Sequence, residues 1–476
     1  MTTHTENKRA AGEHPVINPA DGSVVGYIKW STTEEVDEAV SLAGRAFGQW
    51  SAVPVKERVQ VFFRLKALLD KNIEELSRLC TSENGKTVAE SKAGILKGIE
   101  VVEYATSLPQ LLAGGYLEVS AGVSCRTIKE PLGVVAGITP FNFPFMVPLW
   151  MIPLALGCGN TMVLKPSEQV PLSAIRLREL LLEAGLPEGV FQVVHGQREV
   201  VERLIDHPEV QAITFVGSSR VAQAVYERGT RLGKRVLALG GAKNHLVLLP
   251  DADLELSAEN INASFSGCSG QRCMAASVLL AVGQTQPVID RVAELSRKVT
   301  LGRDMGPVIS RQALERITDY IDKAEAAGAK VLVDGRGKSV AGKEGGFWIG
   351  PTILDGVTPD MPVAREEIFG PVLSIIRVET LSEALEIERR SPYGNAAAVY
   401  TRNGGAARKC AESFHASMIG INIGVPVPRE PFSFGGRGRS RFGQGDITGE
   451  GAIEFWTQTR KITERWAVPE GREWKF

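Results

Sequence analysis

The feature that most restricts this chain is a regular alternation, beginning at Val134, of short unbroken apolar runs with longer stretches of helical periodicity. An apolar run without polar alternation suits a strand buried on both faces, which is the situation in parallel sheets covered by helices. Strands are therefore expected at Val134–Ile138, Met162–Leu164, Phe191–Val194, Ala212–Val216, Arg235–Leu239 and Leu246–Leu249. Helices are expected between them at Pro144–Gly157, Val170–Ala184, Glu199–Ile205 and Ser218–Arg228. Strand, helix, strand in this rhythm gives an α/β fold with parallel crossovers. A second series starts near Asp251, with helical Arg311–Ala327, strand-like Lys330–Val333 and Val372–Val378, and helical Leu381–Arg389. Upstream, Thr33–Trp50 and Val55–Cys80 read as two amphipathic helical runs. Gly122–Lys129 and the tail Ile453–Trp466 have alternating strand character without neighbouring helices, as expected of a small protruding sheet that joins subunits.

Composition narrows the function classes. At 476 residues, with 43% apolar and 23% charged residues, the chain has ample material for two or three packed domains. Fifty-four Lys and Arg against 55 Asp and Glu leave no basic excess for nucleic acid or an anionic membrane. The longest apolar stretch, Phe145–Cys158, contains Pro148 and Pro153 and is too short to span a bilayer. Met1–Pro15 is polar and has no secretory h-region. The six cysteines and six histidines are scattered, without a CxxC, HExxH or HxH pattern. No metal site and no disulfide framework are expected, and the compartment reads as cytoplasmic.

Several fragments carry chemistry. Cys273, in Gly270-Gln271-Arg272-Cys273-Met274, lies beside a cation and glycine-exposed backbone, which is expected to lower its pKa toward thiolate. Asn142, between Pro140 and Pro144, is a candidate oxyanion donor, since a fixed N–H needs no reorganisation in the transition state. Gly217-Ser218 opens a helix after a strand, where orphan N–H groups favour a phosphate, although no GxGxxG is present. Lys165-Pro166-Ser167-Glu168 also follows a strand, at the edge where open sheets bind ligands. Glu366-Glu367-Ile368-Phe369-Gly370-Pro371 puts acids and an aromatic at a turn before a strand. Taken singly, each also has a plain structural reading as a buried cysteine, a turn residue or a solvated loop.

In this order, Thr139–Pro144, Lys165–Glu168, Phe215–Ser218, Gly240-Gly241, Gly270–Cys273 and Glu367–Pro371 resemble the aldehyde dehydrogenase superfamily over essentially the whole chain. That resemblance implies a Rossmann-like NAD-binding domain from 1–121 and 139–237, an α/β catalytic domain from 238–440, and oligomerisation strands and tail from 122–138 and 441–476. It implies that Cys273 is the nucleophile and that Asn142 with the Cys273 N–H holds the oxyanion. Lys165, Glu168 and Gln169 would hold the adenine ribose, and Glu168 would repel a 2′-phosphate, favouring NAD over NADP. Thr139, Phe141, Gly217 and Ser218 would line the cofactor cleft, with Glu367 and Phe369 near the nicotinamide ribose.

One departure is informative. Hydrolytic members carry Glu two residues before the Gly pair, as the base that activates water; here that position is Ala238. Such a base is worth about 10²–10⁴ in rate, so coenzyme A is expected as the acyl acceptor. Gly241-Ala242-Lys243-Asn244-His245, Gln271–Met274, Pro426-Val427-Pro428 and Phe455-Trp456-Thr457-Gln458 resemble the CoA-acylating methylmalonate-semialdehyde dehydrogenase branch. That branch implies malonate or methylmalonate semialdehyde as substrate, with an Arg before Gly-(Ile/Leu)-Glu helping to bind its carboxylate; here Lys97 precedes Gly98-Ile99-Glu100, keeping the charge but losing the fork. Arg272 is the second candidate for the carboxylate, its alternative role being to tune the Cys273 pKa. The segment Val299–Pro307 is shorter than the family's usual length before Asp304-Met305-Gly306-Pro307. A hydrolytic NAD-dependent enzyme with another base, and a catalytically idle relative, are the competing readings. By analogy the chain would form a homodimer or homotetramer.

Overall fold

The computed structural model describes residues 12–466; the expected N-terminal segment before residue 12 and the tail beyond residue 466 lie outside the described residues. Two sheets dominate. The first has six strands in the order Arg441–Gly443, Arg235–Leu239, Val210–Val216, Val134–Ile138, Thr161–Lys165 and Phe191–Val193. All its pairs are parallel except the first. The chain enters at Val134–Ile138, winds outward through Thr161–Lys165 to Phe191–Val193, then returns to Val210–Val216 on the other side. The crevice beside the entry strand is thus a topological switch point, where ligands bind in open α/β sheets. One apolar core packs on each face of this sheet.

The second sheet has seven strands, ordered Lys330–Val333, Thr352–Asp355, Val372–Val378, Ala276–Val282, Asn244–Leu248, Ala396–Tyr400 and Met418–Ile421. It too is parallel beyond its first pair and has a core on each face. Helix Met146–Gly157 is buried at every position, as its unbroken hydrophobicity requires, and it packs inside the first core. No described helix is long and apolar enough to cross a membrane.

The strands expected at Arg235–Leu239, Lys330–Val333 and Val372–Val378 form with those bounds, and the expected helix Leu381–Arg389 does too. Four expectations are corrected. The second sheet begins at Asn244–Leu248, not near Asp251, because the turn at Gly240-Gly241 already carries the chain across. Val134–Ile138 and Arg441–Gly443 join the six-stranded sheet instead of standing with the oligomerisation segments. The run Val55–Cys80 is three helices, Val55–Arg58, Gln60–Lys71 and Ile73–Asn84. The Asn72 side chain donates to Leu68 O at 2.8 Å, a local bond that competes with helix continuation. The tail is a helix, Gly449–Trp456, followed by the strand Thr457–Arg465. Ala452, Ile453, Phe455 and Trp456 are buried at helical spacing, which an alternating reading misses.

Strand Thr457–Arg465 pairs antiparallel along Val123–Pro131, which in turn pairs with Tyr116–Ser120 in a three-stranded sheet. Its root is tied to the first sheet by buried Asn160. The Asn160 Oδ1 accepts from Leu132 N and Gly133 N, and its Nδ2 donates to Ala155 O and Trp456 O. A hairpin of Glu13–Ile17 with Val24–Lys29, not expected from sequence, completes the described strands.

Candidate active site

A cleft of about 1110 Å³ opens between the carboxyl ends of the first sheet and the facing loops of the second. The first sheet contributes Thr139, Phe141 and Asn142, then Lys165, Glu168 and Gln169, then Gly217 and Ser218; the second contributes Cys273, Glu367 and Phe369. Eleven residues expected from separate fragments of sequence therefore share one cavity.

Cys273 is placed by an unusual backbone. After helix Leu254–Ser266, residues Cys268, Ser269 and Gly270 are all left-handed, with φ of 52°, 55° and 67°. Such runs are costly for non-glycine residues and persist only where surrounding bonds hold them. Glu90 Oε1 accepts from Cys268 N at 2.6 Å, and Ser269 Oγ donates to Gly306 O at 2.6 Å. Gly270 is required as glycine, since a Cβ there would lie 2.1 Å from Gly370 O. The segment before Pro307 is thus a support of this loop. Helix Gln286–Lys298 ends, Gly302 N donates to Met305 O, and the turn delivers Gly306 to Ser269.

Two asparagines that sequence reasoning did not single out hold the Cys273 carbonyl. Asn244 Nδ2 donates to Cys273 O at 2.7 Å and to Ala275 O at 2.8 Å, and Asn395 Nδ2 donates to Cys273 O at 2.8 Å. Asn244 stood inside the quoted Gly241–His245 motif; Asn395 has no local signal, because it arrives from a strand start far along the chain. Asn142 Nδ2 donates one hydrogen to Gln271 O at 3.0 Å, leaving its second amide hydrogen for the cleft.

The electrostatics reverse one expectation. The Cys273 thiol is pushed up to about 12, chiefly by desolvation and then by the facing Glu367 carboxylate; the nearby Arg272 offsets this only in part. Burial raises Glu367 to about 7 against the Ala242 N–H it accepts at 2.8 Å, and lowers fully buried Lys243 to about 7. The resting group is therefore the thiol. Because alkylation requires thiolate, the rate of Cys273 modification by iodoacetamide is expected to climb about tenfold per pH unit from 7 to 9 without levelling off. A plateau below pH 8 in a mass-spectrometric time course would refute this.

The first-sheet edge fits a dinucleotide. Lys165 is buried and donates to Glu168 Oε2 at 3.2 Å, a pair suited to sugar hydroxyls, and burial lowers the Lys165 pKa. Ser218 caps helix Ser219–Arg231 without spending its hydroxyl on the helix, so its side chain and the first helical N–H groups remain for a phosphate. Phe369, at φ 53°, meets Phe141 edge-on at 5.7 Å across the cleft.

The sequence pattern of the aldehyde dehydrogenase family matches residues 5–462. The chain belongs to the aldehyde dehydrogenase family. It is 46% identical over 467 residues to malonate-semialdehyde dehydrogenase 2 of Geobacillus kaustophilus, covering 96% of both chains. It is 44% identical to malonate-semialdehyde dehydrogenase of Pseudomonas aeruginosa, covering 97% of this chain and 94% of the relative. Among solved structures, methylmalonate-semialdehyde dehydrogenase from Oceanimonas doudoroffii superposes with a TM-score of 0.95 at 42% identity, covering 99% of this chain and 98% of the other. A Sinorhizobium meliloti structure described as methylmalonate-semialdehyde dehydrogenase complexed with NAD also gives 0.95, at 40% identity over 98% and 97%.

Two residues expected in this aldehyde dehydrogenase's substrate site stand outside the cleft wall. Arg272 Nη2 donates to Ala263 O and Ser264 O, at 2.5 and 2.9 Å, near the carboxyl end of helix Leu254–Ser266. A cation satisfies exposed helix carbonyls well, which is why the guanidinium turns there. Lys97, on helix Val88–Ala105, donates to Glu100 Oε2 at 2.7 Å. Ala238 is fully buried in the apolar core of the first sheet and does not line the cleft. Beyond the expected residues, Phe143, Val147, Trp150 and Phe434 supply an apolar wall near Cys273 and Asn142.

Proposed function

We propose that this aldehyde dehydrogenase is NAD-dependent and CoA-acylating, oxidising malonate or methylmalonate semialdehyde to acetyl- or propionyl-CoA with loss of CO2. The observation that carries this reading is the pairing of Cys273 and Asn142 in one cleft, in a chain that has Ala238 at the sequence position where hydrolytic relatives carry the water-activating carboxylate. The names of its malonate- and methylmalonate-semialdehyde relatives support the substrate. NAD is supported by the fit of Lys165, Glu168, Gln169, Gly217 and Ser218 to a dinucleotide, with Glu367 and Phe369 at its nicotinamide end. When bound, it supplies the hydride acceptor.

The chain's own residues do the rest. Cys273 Sγ gives its proton to solvent in the cleft and bonds to the aldehyde carbon, and the carbonyl electron pair moves onto oxygen. The free Asn142 amide hydrogen and the Cys273 N–H stabilise that oxyanion. Loss of hydride from the same carbon leaves an acyl thioester on Cys273. Its β-carboxylate then departs as CO2, the C–C electron pair passing into the thioester carbonyl as an enolate that takes a proton from solvent, so that acetyl or propionyl remains on sulfur. The CoA thiolate then adds to the thioester carbon, and Cys273 leaves as thiolate, ready for the next turnover. Asn244 and Asn395 keep the nucleophile loop still by holding its carbonyl.

The test is NADH formation from each semialdehyde with and without CoA. Without CoA a burst of about one NADH per site is expected, followed by turnover about 10²–10⁴ slower than with CoA, the worth of a missing base. Full turnover without CoA would favour the hydrolytic reading. Glu367, half-buried beside Cys273 and titrating near 7, is then the candidate base. The six-stranded sheet, with Val134–Ile138 and Arg441–Gly443 counted in it, supports a cofactor part, the seven-stranded sheet a catalytic part, and the three-stranded sheet an oligomerisation part. Exposed Tyr116, Leu117 and Val119 on the latter suit a homodimer or homotetramer, in the cytoplasm.

A further inference from the structure

Helices Ile73–Asn84 and Val88–Ala105 contribute no residue to the cleft wall, yet the short turn joining them reaches both halves of the site. Asn84 Nδ2 donates to Phe141 O at 2.8 Å. Lys86 Nζ donates to Asn142 O and lies 3.5 Å from the centroid of the Phe143 ring. Glu90 Oε1 accepts from Cys268 N at 2.6 Å, while its Oε2 accepts from Thr87 N and Oγ1 at 3.0 Å. Between them, Gly85 turns at φ 87°, and a Cβ there would lie 2.8 Å from Pro307 Cγ and 3.0 Å from Pro19 Cβ. Gly306 packs against Gly85 O and accepts from Ser269 Oγ.

We infer that Asn84, Lys86 and Glu90 form a clip that sets the oxyanion loop in register with the nucleophile loop, with Lys86 as the positioning residue for Asn142. This rests on the roles proposed above for Cys273 and Asn142. The two loops belong to different sheets, so packing within either sheet does not determine their separation. The clip bonds to both from one rigid turn. Lys86 is the telling member. It is buried, and among the described residues its ammonium makes no ion pair. A buried ammonium is costly unless well bonded, and a residue of similar length such as Met would fill the space without that cost. Its charge-assisted bond instead pins the peptide after Asn142, and with it the direction in which the Asn142 amide points.

The test is a double-mutant cycle in single-turnover NADH formation. Lys86→Met is expected to slow hydride release about 10²-fold, the order of one lost oxyanion donor. Its KM for NAD should stay within about twofold, and Lys86→Arg should recover most of the rate. If Lys86 acts through Asn142, Lys86→Met adds no further loss to Asn142→Ala. Asn84→Ala, a milder change that removes one hydrogen bond, should give about tenfold with the same non-additivity. Equal losses in the wild-type and Asn142→Ala backgrounds, or no loss at all, would overturn the clip. Turnover surviving in Cys273→Ala and Asn142→Ala would instead overturn the functional reading on which it rests.

Discussion

Cys273→Ala is expected to reduce steady-state NADH formation by on the order of 10⁴–10⁶, the scale seen when a covalent nucleophile is removed. No other cleft-lining side chain is a thiol, and the neighbouring Cys268 is buried within the left-handed turn with its N–H bonded to Glu90. The loss should be confined to chemistry. The proposed ribose clamp, Lys165 with Glu168, and the helix opening at Ser219 belong to the first sheet, where Cys273 only borders one of the two apolar cores as a partly buried residue. NAD affinity measured by calorimetry should therefore stay within about twofold. Cys273→Ser should be no better than Ala, because a hydroxyl ionises far less readily than a thiol and is the poorer leaving group at the release step. Residual turnover within tenfold of wild type would rule out the covalent route.

Asn142→Ala carries the second-largest expected effect, a fall in kcat of about 10²–10³. The amide has two jobs. One hydrogen ties the strand-end loop to Gln271 O, and the other is free to meet the developing oxyanion. Its value lies in being fixed beforehand: Lys86 holds the following carbonyl, and Asn84 holds the preceding one. The loss should fall on the rate of the NADH burst, since addition to the aldehyde and hydride departure both involve the oxyanion. In the proposed reaction, CoA-dependent release passes through a second tetrahedral oxygen and should slow as well. An unchanged burst rate in stopped-flow absorbance would remove Asn142 from the mechanism.

Much of this site was legible before any coordinates because its pieces sit where local pattern is strongest. Thr139–Asn142, Lys165–Gln169 and Gly217-Ser218 each follow an apolar run, and the ends of parallel strands are where an open sheet gathers its ligands. The gathering of Cys273, Glu367 and Phe369 into the same cavity was expected from the family resemblance, not from periodicity.

What eluded the sequence has a common cause. The sign of the Cys273 shift depended on how much water its neighbours exclude and on the Glu367 carboxylate brought in from almost a hundred residues later. A neighbouring cation in sequence said the opposite. Arg272 reads as a substrate ligand until the carbonyls of helix Leu254–Ser266 are seen within its reach. Asn395, Asn84 and Glu90 carry no motif of their own, and they matter only because distant backbone arrives at them.

The sequence by itself determined the alternation of buried strands and amphipathic helices, and with it an α/β chain whose strand-end loops hold an amide and a basic–acidic pair. Those follow from burial periodicity and residue chemistry, which act over a few residues. Only the tertiary structure decided the ionisation of Cys273, the turning of Arg272 and Lys97 away from the cleft, and the Asn84–Glu90 clip. Each of these depends on desolvation and hydrogen bonds between segments far apart in the chain, and such pairings arise only when the two sheets are packed against each other.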